Sequence, residues 1–370
     1  MDYKVPFVDY PTQYQRIQSE IDAAIREVLS KGDLILREQH TRFEENMAAF
    51  VGTKYAVGVS SGTDALILSL RAAGIVPGDE VITVAHTFVA TVAAIVHCGA
   101  TPILVDVGED FNMNVEQLEQ AVTPRTKAII PVHLNGRLCD MEKLMAIASE
   151  HNFIVIEDAA QALGASFDGQ KAGSFGLTGC FSFYPAKSLG CAGDGGLVAT
   201  DSDDIATKIR LYRDHGRDKA NGDILLYGFT NRLDNLQAAI LNVKLKYLPR
   251  WIERRREIAS MYENALSDLP QVQTPPGPKT NNRYFDVYQN YVIQAQDRGR
   301  LVAYLTESGI ETLVSNPKPV HHHKPLGLGH FHLPKTEQFA DEVVSLPMNA
   351  EISDEQVNYV IESIHGFYEG

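Results

Sequence analysis

Short β-rich runs alternate with helical stretches along the first half of this chain, and that alternation limits the fold more than any single motif. Ala56-Val57-Gly58-Val59, Val81-Ile82-Thr83-Val84, Ile103-Leu104-Val105-Asp106, Ala128-Ile129-Ile130-Pro131-Val132 and Phe153-Ile154-Val155-Ile156 are apolar runs of strand length. Helical stretches such as Ala65 to Ala73 and Met141 to Glu150 lie between several of them. This pattern predicts an α/β layer fold with a mainly parallel sheet. Functional groups in such sheets gather at the carboxyl ends of the strands, and Asp158 ends one of these runs.

Two helices precede the first strand. Ile17, Ile21, Ala24, Ile25, Val28 and Leu29 recur at helical spacing over residues 14–30, and Lys31-Gly32 closes the helix. Phe43, Met47 and Phe50 mark a second helix that ends near Gly52. Near residue 249 the texture changes. A helix through Leu233–Leu248 meets Pro249, and a basic helix with Arg254, Arg255 and Arg256 follows, its charges read as a solvated face. After the loop Pro275-Pro276-Gly277-Pro278 come a strand at Tyr291-Val292-Ile293 and helices over Arg300–Ser308 and Glu355–His365. The expected division is an N-terminal segment with a large domain over 1–249, and a smaller C-terminal α+β domain over 250–370.

A net charge of −14 over 370 residues argues against a nucleic-acid partner, which calls for a basic patch, and against docking on anionic lipid. No apolar run approaches the roughly 18 residues needed to span a membrane. Met1-Asp2-Tyr3-Lys4 leads into Pro6 with no apolar signal core. Cys98, Cys139, Cys180 and Cys191 form no C-x-x-C pair, and scattered thiols suit a reducing compartment. A cytoplasmic enzyme is the expectation.

Lys187 lies within Phe181-Ser182-Phe183-Tyr184-Pro185-Ala186-Lys187-Ser188-Leu189-Gly190. Most lysines are surface residues, but apolar and aromatic neighbours would desolvate this one, lowering its pKa and freeing the amine for imine chemistry. Asp158 comes after the four apolar residues Phe153-Ile154-Val155-Ile156 and Glu157. It is either a strand-end cap or a carboxylate that stays ionised beside a cationic nitrogen. Together they are what a pyridoxal phosphate (PLP) enzyme needs: a lysine to hold the cofactor as a Schiff base, and an acid to keep its pyridine nitrogen protonated. Ser61-Gly62-Thr63-Asp64 is either a phosphate cup at a helix N-terminus or an ordinary N-cap. Phe88, just past a strand, is either a ring-stacking aromatic or a core residue. Gly190, Gly193, Gly195 and Gly196 lack the G-x-G-x-x-G spacing and give the lysine loop conformational freedom. In His321-His322-His323, side chains on an extended segment alternate faces, and no acidic or Cys ligand lies at familiar spacing, so no metal is expected there.

Taken together, these motifs resemble the DegT/DnrJ/EryC1/StrS family of sugar aminotransferases. The carrying pieces are Ser60-Ser61-Gly62-Thr63-Asp64-Ala65-Leu66, His86-Thr87-Phe88-Val89-Ala90-Thr91, Pro131-Val132-His133-Leu134 and Glu157-Asp158-Ala159-Ala160-Gln161-Ala162. Ser182-Phe183-Tyr184-Pro185-Ala186-Lys187, Gly193-Asp194-Gly195-Gly196 and Asn231-Arg232-Leu233-Asp234-Asn235-Leu236-Gln237 follow in order. The resemblance implies the aspartate-aminotransferase-like fold (PLP fold type I) and a homodimer with the active site at the subunit interface. It implies Lys187 as the Schiff-base residue, Asp158 at the pyridine nitrogen, Gln161 at the ring hydroxyl and Phe88 on the ring face. Gly62, Thr63 and Ser182 would bind the phosphate, and Asn231 would reach the phosphate of the other subunit's cofactor.

The implied reaction moves an amino group from L-glutamate to a nucleotide-linked keto-sugar. The Ser182-Phe183-Tyr184-Pro185 wording looks closer to members that aminate C3 than C4. A dehydratase branch of the family carries His at the lysine position, so Lys187 favours transamination over a lyase or dehydratase reaction. A non-catalytic regulator on the same fold is the other alternative. Several positions depart from the family pattern near the expected sugar. Arg37 stands where Gly is frequent, Asn135 and Arg137 where Tyr and Gln are common, and Asn316 replaces the tyrosine of a Tyr-Pro-x-Pro-x-His segment that ends at His321. With Tyr184, residues Arg37, Asn135, Asn316 and His321 make the expected substrate site. Arg37 and Arg137 are either anion ligands or surface salt bridges.

Overall fold

The computed structural model describes residues 3–218, 220–279 and 282–369. Helix α1 (Tyr10–Lys31) opens where the Asp9 carboxylate accepts from the Thr12 N–H at 3.0 Å, and closes on Gly32 at φ 70°. That left-handed cap is a conformation glycine adopts without strain. Ile17 and Ile21 of α1 pack on Ile240, Val243 and Trp251. Helix α2 (Glu38–Val51) sends Phe43 and Met47 fully into the core.

In chain order the strands are β1 (Tyr55–Val59), β2 (Glu80–Val84), β3 (Thr101–Val105), β4 (Thr126–Ile129), β5 (Ile154–Asp158), β6 (Ser166–Phe167), β7 (Gln170–Lys171), β8 (Thr178–Ser182) and β9 (Gly196–Thr200). Seven of them form the central sheet in the order β1-β9-β8-β5-β4-β2-β3. The run from β3 to β8 is parallel, whereas β9 lies antiparallel to both β8 and β1. Both faces are covered. Ile82, Val84, Ile129 and Val155 point into one cluster with Phe43 and Met47. Val81, Ala128, Ile130 and Ile156 point into another with Leu66, Leu70 and Ile95. This is why the strands read as continuous apolar runs. Each valine, leucine, isoleucine, phenylalanine or methionine among them, fully buried, contributes about 1.5–3 kcal/mol.

Helix α3 (Gly62–Ala72) follows β1, and helix α4 (Val89–His97) follows β2. Farther along, β10 (Val272–Gln273), β12 (Tyr291–Ala295) and β13 (Val343–Leu346) form an antiparallel three-stranded sheet, and β11 (Tyr284–Phe285) joins the β6–β7 hairpin. Tyr262, Tyr291, Ile293, Val344 and Leu346 share a separate core there. The helix Leu248–Leu266 carries Pro249 in its first turn, where a missing N–H costs nothing. Its Arg255, read from sequence as part of a solvated face, is buried. The guanidinium donates to Tyr288 O and Gln289 O, both at 3.1 Å, and to Met348 O. No described helix is long and apolar enough to cross a membrane. All four cysteines are free and buried.

Candidate active site

The candidate residues collect at the carboxyl ends of the parallel strands. Asp158 ends β5, Ser182 ends β8, α3 begins after β1, and Phe88 precedes α4 after β2. The cup at the start of α3 is tightly built. Ser61 is its N-cap, accepting from the Asp64 N–H at 3.0 Å. The first-turn N–H groups of Gly62 and Thr63 have no place in the helix ladder and are free to meet an anion. A Cβ on Gly62 would stand 2.8 Å from Ser182 Cβ, and one on Gly196 would stand 2.2 Å from Ser61 O. Only glycine lets β8, β9 and the helix start approach this closely.

Asn231 was expected to reach a phosphate in the partner subunit. Within its own chain it sits at the same cup, its Nδ2 donating to Asp64 Oδ1 at 2.8 Å. Ser60 Oγ and Ser61 Oγ donate to Asp64 Oδ2 at 2.6 and 2.7 Å, so Asp64 organises the cup.

Asp158 is 7 % exposed. Its backbone is tied to the neighbouring strand end through Pro131 O at 2.9 Å and the His133 N–H at 3.0 Å. Its side chain accepts from Thr91 Oγ1 at 2.8 Å and from the Ala160 N–H at 3.2 Å. Burial pushes the carboxyl above the ordinary carboxylate range, while the Thr91 and Ala160 hydrogen bonds and the charge of Lys187 pull it back. Lys187, half-buried in the loop after β8, shows the mirror effect: burial lowers its amine, and the Asp158 charge opposes that. Burial disfavours the charged form of both groups, and the charge of each favours the ionised form of the other.

The lysine loop is pinned from the C-terminal part of the chain. Gln289 Oε1 accepts from Ser188 N and Oγ at 2.7 and 2.8 Å, and Gln289 Nε2 donates to Ala186 O at 2.8 Å. Beneath the site, Glu157 is fully buried and accepts from the N–H groups of Gly173 and Phe175 at 2.7 Å and of Gly176 at 2.8 Å. His133 Nδ1 accepts from the Cys139 N–H at 3.2 Å, so its proton is on Nε2, which donates to Glu157 Oε2 at 3.0 Å. Thr91, Gln289 and Glu157 carried no role in the sequence reading.

Phe88 is 66 % exposed beside Thr91 and Asp158, an aromatic face left open rather than a core residue. Gln161 Oε1 accepts from the Asn135 N–H at 2.7 Å. Asn135 has φ 59°, and its Oδ1 accepts from Asn290 Nδ2 at 3.3 Å. Tyr184 is exposed, and its carbonyl accepts from the Lys187 N–H at 2.8 Å. Asn316 is half-buried at φ 50°.

The two arginines part company. Arg37 is exposed at the start of α2, 3.7 Å from Asp33. Arg137 forms an internal ion pair with Asp286 at 2.7 Å and stacks 3.6 Å over the Tyr284 ring, which removes it from the anion-binding candidates. His321, expected at the sugar, is 1 % exposed with its Nε2 3.2 Å from Glu337 Oε1.

The chain as a whole is similar to known proteins. A "pleiotropic regulatory protein" of Geobacillus stearothermophilus is 43 % identical, covering 98 % of both chains. A UDP-N-acetyl-3-dehydro-α-D-glucosamine 3-aminotransferase of Acidithiobacillus ferrooxidans is 40 % identical, again over 98 % of both. The solved structure of DesV from S. venezuelae, in complex with a ketimine intermediate, superposes with a TM-score of 0.95 at 38 % identity over 99 % of each chain. The family model for these proteins matches residues 15–365, and the chain accordingly belongs to the DegT/DnrJ/EryC1/StrS aminotransferase family.

Proposed function

We propose that this chain is a PLP-dependent aminotransferase that moves an amino group from L-glutamate to a nucleotide-linked keto-sugar, with the 3-keto position favoured over the 4-keto. The placement of two groups carries the reading: the Asp158 carboxyl, buried at the end of β5 and held by Thr91 and Ala160, and the Lys187 amine on a loop clamped by Gln289. A buried carboxylate suits a protonated ring nitrogen, and a desolvated amine suits attack on a carbonyl. The glycine-built cup at α3 suits the phosphate, and the open face of Phe88 suits a flat ring.

PLP bound there would supply the electron sink for a carbanion at the amino-bearing carbon. The protein's own groups do the rest. Asp158 holds the proton on the ring nitrogen, and Thr91 holds Asp158. The Lys187 amine, once free, takes the proton from the amino-bearing carbon and returns it one position away. Gly62, Thr63 and Ser182 would anchor the phosphate, Asn231 would reach the phosphate of the other subunit's cofactor, and Gln161 would meet the ring hydroxyl. Arg37, Asn135, Tyr184 and Asn316 are assigned to the nucleotide-sugar side, whereas His321, buried against Glu337, is not.

The exposed Ile224, Leu225 and Tyr227 offer apolar surface that a second copy would cover, in support of a homodimer. Buried, unpaired thiols are in keeping with a cytoplasmic enzyme. The acceptor named for the Acidithiobacillus relative supports the 3-keto preference. The name of the Geobacillus relative keeps a regulatory role as the second reading. Against it, every cofactor position on this chain carries a residue able to do its work.

The test is a half-reaction. L-Glutamate added to the PLP-loaded protein should bleach the long-wavelength absorbance, yield the pyridoxamine form and release one equivalent of 2-oxoglutarate. Lys187→Ala should abolish it. Loss of water from a sugar without that conversion would establish a dehydratase, and no conversion at all the regulatory reading. A panel of UDP-, dTDP- and GDP-linked 3-keto and 4-keto sugars then identifies the acceptor.

A further inference from the structure

We propose that His321, His322 and Glu337 form a binding site for a zinc-class divalent ion, distinct from the cofactor site. The expectation of no metal assumed an extended histidine run. Instead Val320–His322 is a 3-10 turn. With three residues per turn, neighbours diverge by about 120° rather than 180°, and the His321 and His322 rings come to 4.3 Å between centroids. The acidic ligand that sequence spacing did not reveal arrives from the helix Pro334–Glu342.

The distances fit an ion. Glu337 Oε1 is 3.2 Å from His321 Nε2 and 3.7 Å from His322 Nε2. One ligand atom from each of the three residues lies within 4.8 Å of the others. A tetrahedral ion with bonds of about 2.0–2.1 Å holds its ligands about 3.3–3.4 Å apart, and the two measured edges bracket that separation. Two imidazoles and one carboxylate, with a position left open, are a zinc donor set; the absence of thiolate and the two nitrogens disfavour Cu(I) and Mg²⁺. His332 Nδ1, 3.6 Å from the same oxygen, stands at the open rim.

The ligands are partly set in advance. Burial fixes His321, and the Leu333 N–H donates to Glu337 Oε1 at 3.1 Å. The exposed His322 leaves an entry path. His321 Nδ1 is buried without a hydrogen-bond partner among the described residues. A missing outer partner costs about 10–100-fold in affinity, which makes this an exchangeable site rather than a permanently loaded one.

The site also has a mechanical position. Val320 donates its N–H to Ala85 O at 3.4 Å and packs with Ala85, Val92, Leu328 and Leu333. Ala85 lies just before Phe88. The helix carrying Glu337 is anchored by Asp106, which accepts from the N–H groups of Lys335 and Thr336 at 2.8 Å. An ion joining turn and helix braces the segment packed on the loop that presents Phe88.

The experiment uses the untagged full-length protein, stripped with chelator and titrated with Co²⁺ and then Zn²⁺. One equivalent of Co²⁺ per chain should bind with visible ligand-field bands, be displaced by Zn²⁺, and raise Tm. His322→Ala, an exposed position that leaves the fold intact, should weaken binding by about tenfold or more, and Glu337→Gln should do the same. No saturable binding at one ion per chain, or binding that both variants leave unchanged, overturns the proposal.

Discussion

Thr91 Oγ1 lies 2.8 Å from Asp158 Oδ2 and 2.8 Å from Thr87 Oγ1. A hydroxyl has one proton, and the carboxylate can only accept, so Thr91 donates to Asp158 and accepts from Thr87. That relay fixes one oxygen of a buried acid whose pKa burial has already raised. Thr91→Val keeps the shape and removes the donor. A hydrogen bond to a charged group contributes about 1.5–3 kcal/mol, which corresponds to a loss of roughly 10–150-fold in whatever depends on the ionised form. PLP affinity and the glutamate half-reaction rate should both fall on that scale, and Thr91→Ser should restore them. Unchanged cofactor binding in Thr91→Val would show that Asp158 is held by something else.

Gln289 clamps the loop that carries Lys187 through Ser188 N, Ser188 Oγ and Ala186 O. Gln289→Leu leaves buried polar groups unpaired, each costing about 1–3 kcal/mol. The expected result is a lower Tm together with slower borohydride trapping of Lys187, because the amine is no longer held in position. A fall in Tm with normal trapping would mark Gln289 as structural only.

How much of this was legible depends on how far apart the partners are. The alternating runs announced β1 through β5 because each is short, apolar and bounded by turns. β8 and β9 went unannounced, lying among glycines and the lysine loop, where no period develops. Helix α4 was hidden because Val-Ala-Thr-Val-Ala-Ala-Ile-Val-His is apolar on nearly every side. At the site, Lys187, Asp158 and the cup stood out through local chemistry. Thr91 and Gln289 act on residues 67 and 101 positions away, which only the fold brings together. Arg255 misled because a run of arginines suggests solvent, whereas three backbone carbonyls claim this one.

The Gly62 contact makes a sharper test of the cup than removal of a hydroxyl. A Cβ at Gly62 would press on Ser182 Cβ at 2.8 Å, so in Gly62→Ala either α3 or the end of β8 must move. Overpacking of this kind costs about 1–3 kcal/mol, and here it falls on the proposed phosphate anchor. PLP affinity measured by equilibrium dialysis should drop by about tenfold or more on that scale. Gly196→Ala meets the Ser61 carbonyl at 2.2 Å, a backbone atom that yields less, and should lower Tm further than Gly62→Ala does. Full PLP affinity in Gly62→Ala would move the phosphate site elsewhere.

His86 gives the fold a pH dependence separate from catalysis. Its ring is buried against Phe111 and Phe339, with centroids 6.1 and 5.8 Å away, and burial lowers its pKa to about 4 while the Asp106 charge opposes that. In the unfolded chain the imidazole holds its proton up to about pH 6.5. Between those values the unfolded state binds more protons than the folded one, so stability falls as pH drops from about 6.5 toward 4. A gap of about 2.5 at about 1.4 kcal/mol per pKa unit makes the loss on the order of 3 kcal/mol. Urea midpoints recorded at pH 7 and pH 4.5 should therefore differ more for the wild type than for His86→Leu, which has no proton to take up. If the two proteins lose stability in parallel across that window, the acid sensitivity belongs to another group.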